Sequence, residues 1–290
     1  PISNIDLKDH YKIEEFTSLE KAFQNMPDIV FITNPSKYHC KYAYEAIKAG
    51  SYVFIEKPLS TDIESAQEII NLEKKINKKR CMVGFQYRYN PALIKMKELI
   101  DKNIIGKIVN GQISNGEYLP NWHPYENYRD SYASKKSLGG GACLTQIHDF
   151  DYSIYLFGMP TKVYAVGGKL SSLEIDVEDS VQVLASFNHQ KEIIPINISL
   201  DYLSWPSRRY INLFGEKGTI KCDLNNNIIT LNERELNKKS EYNFSSINRN
   251  EIFVYELKNF LSFAKGLENP KVDLEEGIKS LKFALAVKKS

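Results

Sequence analysis

From residue 28 onward, short apolar runs alternate with longer stretches whose apolar positions recur at helical spacing. The runs at 28–32, 52–55 and 81–85 are continuously apolar, the pattern of strands covered on both faces. Between them, 36–49 and 62–78 predict helices, with Ser36 and Asp62 suited to N-caps and Gly50 to a C′ position. Upstream, Thr17-Ser18-Leu19-Glu20 has capping-box spacing, and Asn90-Pro91 opens a further helix to about 101. Strands alternating with helices predict a parallel sheet.

After Gly106 the period changes to two, over 107–118, 162–170, 180–187 and 192–202, with turn-like breaks at 188–190 and 216–218. That pattern predicts a mainly antiparallel sheet and hence a second domain, giving a fold class of α/β plus α+β. One helix over 141–157 interrupts the strands, and helices over 251–265 and 274–288 close the chain. The boundary falls between 1–103 and 104–290, and the closing helices are free to pack back on the first part.

Composition narrows the partners. Lys plus Arg (38) nearly cancels Asp plus Glu (36), leaving +2, too little for a field that steers toward nucleic acid or a membrane surface. Small molecules fit better. The one basic run, 74–80, ends a predicted helix, where cations favour the carbonyl end of the dipole. Four scattered cysteines without C-x-x-C argue for reduced thiols in the cytoplasm rather than zinc or disulfides. No apolar run approaches the ~20 residues of a membrane span.

In a parallel sheet the ligand crevice lies beyond the carboxyl ends of the strands. Three strands end there in suggestive turns: Thr33-Asn34-Pro35, Glu56-Lys57-Pro58, and Gln86-Tyr87-Arg88-Tyr89-Asn90-Pro91. Any one could be a plain Pro-containing turn; three on one edge point to a site. Lys57 could donate to a substrate oxygen or take its proton, unless Glu56 neutralises it in a simple ion pair. His148, Asp149 and Asp151 fall in the 141–157 helix, where a histidine could be only a satisfied core residue. Gly139-Gly140-Gly141 upstream either lets backbone approach a ligand or acts as a hinge. The 121–129 segment, with Trp122, Tyr125 and Arg129, suits sugar faces and hydroxyls, or equally a surface loop or subunit contact.

Together, residues 27–35 with His39, the Glu56-Lys57-Pro58 tripeptide and residues 84–91 resemble the glucose-fructose oxidoreductase / inositol dehydrogenase (Gfo/Idh/MocA) family. The resemblance implies a Rossmann-type domain, NAD or NADP as cofactor, and hydride transfer at a sugar, nucleotide sugar or cyclitol. Lys57 would be catalytic, with His148 as second catalytic group. Thr33, Asn34, Pro35, His39, Glu56, Pro58 and Gln86 would line the cofactor, and Arg88 would shape the substrate site. Thr145 stands where the family often carries an Asp, and Asp149 and Asp151 would orient His148 or bind hydroxyls. The antiparallel sheet would join a homodimer or homotetramer. The 122–141 segment looks most like members of surface-sugar pathways.

The family's G-x-G-x-x-G turn is absent, since the first glycine is Gly50. The expectation is therefore an N-terminally incomplete Rossmann-type sheet that binds cofactor poorly by itself. Either an active dehydrogenase is represented incompletely, or the chain is a non-catalytic sugar-binding or assembly module.

Overall fold

The computed structural model describes residues 7–290. Two short helices, α1 (Leu7–Tyr11) and α2 (Leu19–Gln24), precede the first strand. Strands β1 (Ile29–Ile32), β2 (Tyr52–Glu56) and β3 (Cys81–Gly84) then pair in parallel in the order β1-β2-β3. The crossovers are α3 (His39–Lys48) and α4 (Ile63–Ile76), and α5 (Pro91–Asp101) follows β3. The caps explain the boundaries: Asp62 accepts from Ser65 N–H at 2.7 Å, and Asn90 accepts from Leu93 N–H at 3.1 Å. Ser36 is no cap, because 36–38 forms a 3₁₀ turn ahead of α3 and makes no side-chain bond to it.

A second sheet holds β4 (Ile108–Gly116), β5 (Pro160–Gly168), β6 (Ser180–His189), β7 (Glu192–Asp201), β8 (Arg208–Gly215), β9 (Gly218–Asp223), β10 (Ile228–Glu233) and β11 (Lys238–Asn243). Their order is β11-β10-β9-β8-β4-β7-β6-β5, antiparallel except for the parallel β4–β7 pair. Period two reports a half-buried strand but not its direction, so that pair had no signature in the sequence. On the inner face Val181, Val183, Ala185 and Phe187 of β6 meet Ile196, Ile198 and Leu200 of β7.

The expected single helix over 141–157 is two: α6 (Ala142–Thr145) and α7 (His148–Phe157). Gln146 leaves helical geometry (ψ 24°) while its side chain donates to the Asp201 carbonyl at 2.8 Å. Asp149 N–H then bonds Gln146 O instead of Thr145 O, so the Thr145 carbonyl is released from the helix. Two long helices, α8 (Arg249–Ala264) and α9 (Leu274–Lys289), return to the first sheet. Phe260 and Phe263 of α8 pack on Phe54, Met82 and Tyr89. In α9, a Cβ at Gly277 would lie 2.7 Å from Val83, so only glycine permits this approach to β3. All four cysteines are buried and unpaired. Among the described residues no helix is long and apolar enough to cross a membrane, and no cluster could hold a metal.

Candidate active site

Parallel register, with Ile32 opposite Ile55 and Glu56 opposite Gly84, puts the three strand-end turns on one edge. There the Lys57 ammonium donates to the released Thr145 carbonyl at 2.9 Å. Glu56 accepts from the Lys57 backbone N–H at 3.2 Å, and its carboxylate makes no ion pair with the Lys57 side chain. The α6–α7 break thus holds the lysine from the opposite side with a neutral acceptor, leaving its charge uncompensated.

His148 opens α7, 5% exposed, edge-on to the rings of Phe85 (5.7 Å) and Tyr87 (5.2 Å). Its Nδ1 is buried without a partner. Burial, then the charges of Lys57, Arg209 and Arg249, hold its pKa well below 6.5. The ring is therefore neutral at neutral pH and able to accept a proton, close enough to Lys57 to feel its field.

The carboxylates beside it do different work from that expected. Asp149, 0% exposed, accepts from Asn115 Nδ2 at 2.8 Å and from the Tyr152 hydroxyl. Asp151, also 0% exposed, takes Arg88 Nε at 2.7 Å, Arg88 NH2 at 3.0 Å and the Ser280 hydroxyl at 3.0 Å. Neither bonds His148 or reaches open space. Arg88 is correspondingly engaged by Asp151 and the Tyr155 ring.

On the cofactor side Thr33 is exposed, Asn34, Pro35, Glu56 and Lys57 are half-buried, and Pro58 and Gln86 are buried. His39 is 1% exposed, its Nδ1 2.7 Å from Pro58 O and its Nε2 2.7 Å from Asn34 O. Both ring nitrogens thus face carbonyl oxygens of the two strand-end turns, and the neutral imidazole donates its one N–H to one of them. Burial keeps its pKa below 6.5 against the upward pull of those carbonyls.

The 121–129 segment divides. Trp122 packs on Tyr202 (5.2 Å), whose hydroxyl lies 2.6 Å from Thr145 Oγ1, so it supports the site from the second layer. Thr145 Oγ1 also bonds Gly141 O at 2.9 Å, and the residue contributes its carbonyl rather than its side chain. Tyr125 is 75% exposed against His123, and Arg129 pairs with Glu174; neither is drawn to Lys57. The glycine run is closely packed. A Cβ at Gly140 would meet Ala133 O at 2.4 Å, and Gly141 (φ +104°) lies against the Glu178 carboxylate, which itself bonds the Cys143 N–H at the start of α6.

Beside Tyr87 opens a cavity of ≈ 460 Å³ whose walls include Asn90, Asn115, Arg208, Arg209 and Arg249. Asn115, Arg209 and Arg249 escaped sequence reading because two strands and a helix far apart in the chain, β4, β8 and α8, bring them together.

Residues 4–85 match the oxidoreductase family with an NAD-binding Rossmann fold, and residues 93–221 match the GFO/IDH/MocA C-terminal domain. The chain belongs to the Gfo/Idh/MocA oxidoreductase family. Within it, a myo-inositol 2-dehydrogenase of Thermotoga maritima is 28% identical over 96% of this chain and 84% of its own length. A levoglucosan dehydrogenase of Pseudarthrobacter phenanthrenivorans is 29% identical over 61% of this chain and 51% of its own. The WlbA dehydrogenase of Bordetella pertussis, solved with NADH and UDP-GlcNAcA, shares the fold at TM-score 0.79 and 23% identity, over 98% of this chain and 83% of that one.

A Gfo/Idh/MocA chain is a nicotinamide-dependent oxidoreductase. The strand-end edge fits the nicotinamide side of that cofactor: Asn34 Oδ1 is a buried acceptor with no partner in the protein, the state of a group whose partner is a ligand. Among the described residues there is no G-x-G-x-x-G turn for a pyrophosphate.

Proposed function

We propose that this protein moves hydride between NAD(P) and a hydroxyl or keto group of a sugar, nucleotide sugar or cyclitol. The observation that carries it is Lys57 Nζ, unpaired with any carboxylate and held by the Thr145 carbonyl next to a neutral buried His148. Thr33, Asn34, Pro35, Glu56, Pro58 and Gln86 hold the nicotinamide end. When bound, the nicotinamide supplies the hydride acceptor. Lys57 donates a hydrogen bond to the reacting oxygen, and His148 receives the hydroxyl proton as the carbinol becomes a carbonyl. In the reverse direction, with hydride from the reduced nicotinamide, His148 would return the proton and Lys57 would again donate to the oxygen. Phe85 and Tyr87 around the imidazole exclude water from that transfer.

The coarser context follows the same reading. Four buried thiols suit the reducing cytoplasm. Exposed Tyr164 and Leu184, paired across β5 and β6, with Val166 and Ile193 nearby in the sheet, suit a homodimer or homotetramer. Surface-sugar biosynthesis is the pathway class that would use a nucleotide-sugar substrate.

A substrate screen over cyclitols, free sugars and nucleotide sugars with NAD and NADP, read at the nicotinamide absorbance, tests the proposal. Turnover by the wild type, and its loss by ~10²–10⁴ in kcat in Lys57→Ala, is expected. Sugar binding without any turnover would instead make the chain a non-catalytic binding module.

A further inference from the structure

The ≈ 460 Å³ cavity lies in the range of about 300–1,000 Å³ typical of drug-sized ligands, more than one pyranose ring needs. Three of its lining side chains are arginines, against one carboxylate, Glu117. Their charges are unequally compensated. Arg208 is bound by Asp201 at 2.6 Å. Arg209 donates to the Tyr87 hydroxyl and makes a long ion pair with Asp149 at 4.0 Å, while its Nε is buried with no partner. Arg249 is exposed at the first turn of α8 and pairs with no carboxylate among the described residues.

A buried guanidinium N–H without a partner is costly unless a ligand completes it, and the exposed Arg249 adds an unpaired charge at the same wall. The remaining polar wall is neutral: Asn90, Asn115 and the asparagines of the 225–227 turn. Such a wall suits hydroxyls and ring oxygens, and the arginine forks suit a planar or tetrahedral oxyanion. Tyr87 joins this cavity to the catalytic corner, since its ring also flanks His148.

Resting on the sugar-dehydrogenase reading above, we propose that the substrate carries an oxyanion substituent, phosphoryl or carboxylate, gripped by Arg209 and Arg249 while its reacting carbinol points past Tyr87 toward His148. Neutral cyclitols and free hexoses bring no anion to the Arg209 Nε and the Arg249 charge and are poor substrates. The charged group thereby sets both specificity and the position of the reacting carbon.

Calorimetric titration of the whole chain, with and without NADH, using pyrophosphate, inorganic phosphate, D-glucuronate and D-glucose, tests this without needing turnover. At least one anion is expected to bind about tenfold or more tighter than glucose, and Arg249→Gln to weaken it by about 10–100-fold, the worth of a charge-assisted hydrogen bond. Preference for the phosphates would identify a phosphoryl group, and preference for glucuronate a carboxylate. Arg209→Gln should act likewise; if it fails to fold, the exposed Arg249→Gln still decides. Equal binding of glucose and every anion, or anion binding indifferent to Arg249→Gln, would overturn the inference. Arg249-dependent anion binding with no turnover of any sugar would instead remove the dehydrogenase reading and leave the anion site standing.

Discussion

Lys57 and Arg88 are both cations in turns that follow strands of the same parallel sheet, and the fold treats them in opposite ways. Arg88 is 7% exposed and meets Asp151 through two hydrogen bonds, with Ser280 completing the carboxylate. Lys57 is half-buried, has no carboxylate partner and rests on a single carbonyl. A satisfied buried pair braces structure; a charge held by one neutral acceptor remains available to a ligand. The difference arises in α7, because Asp151 faces Arg88 while the break before His148 turns a carbonyl toward Lys57.

That contrast can be broken most sharply with Lys57→Ala and Asp151→Ala side by side. Lys57→Ala should lose ~10²–10⁴ in kcat and keep its melting temperature within a few degrees. Asp151→Ala should lose about 3–5 kcal/mol of stability in a denaturant titration, because it strands Arg88 in the interior. A stable Asp151→Ala protein, or an unfolded Lys57→Ala protein, would invert the assignment.

The pH dependence sharpens it next. With its folded pKa well below the unfolded 6.5, His148 contributes stability that is complete above about pH 6.5 and is lost as pH falls toward the folded value. The acid limb of kcat/KM should therefore lie well below pH 6.5, and His148→Gln should remove that limb together with most of the activity. An acid limb at 6.5 would show an ordinary, solvated histidine.

Glu256 of α8 acts on the same edge. It is 3% exposed with an unpartnered Oε1, and burial, then the charges of Glu56 and Asp151, push its pKa from 4.5 to about 9. The folded form holds a proton that the unfolded chain releases, so stability declines as pH rises between 4.5 and about 9. Glu256→Gln should melt higher than wild type, with an advantage absent below pH 4.5 and growing toward 9, as differential scanning calorimetry would show. The smallest effect belongs to Arg129→Ala, which removes exposed contacts with Glu174, Asn127 and the Tyr128 ring and should change neither turnover nor melting measurably.

Much of this was legible in residue order. Continuous apolar runs marked β1–β3, the Pro-bearing turns marked their carboxyl ends, and the Asp62 and Asn90 caps sit where they were expected. The roles of His39, Arg88, Asp149 and Asp151 were not, because a side chain's partner lies on another element. His39 sees Pro58, 19 residues away, and Arg88 sees Asp151, 63 away. Arg209 left no local signal at all; it became part of a site only when β8 aligned beside β4.

Sequence by itself determined the two kinds of sheet, the family and the candidate lysine, because periodicity, turn chemistry and short motifs are local properties of the chain. Tertiary structure alone decided which charges are spent and which remain free. Compensation depends on distance and burial, and these exist only after strands, helices and the break between α6 and α7 have been brought together.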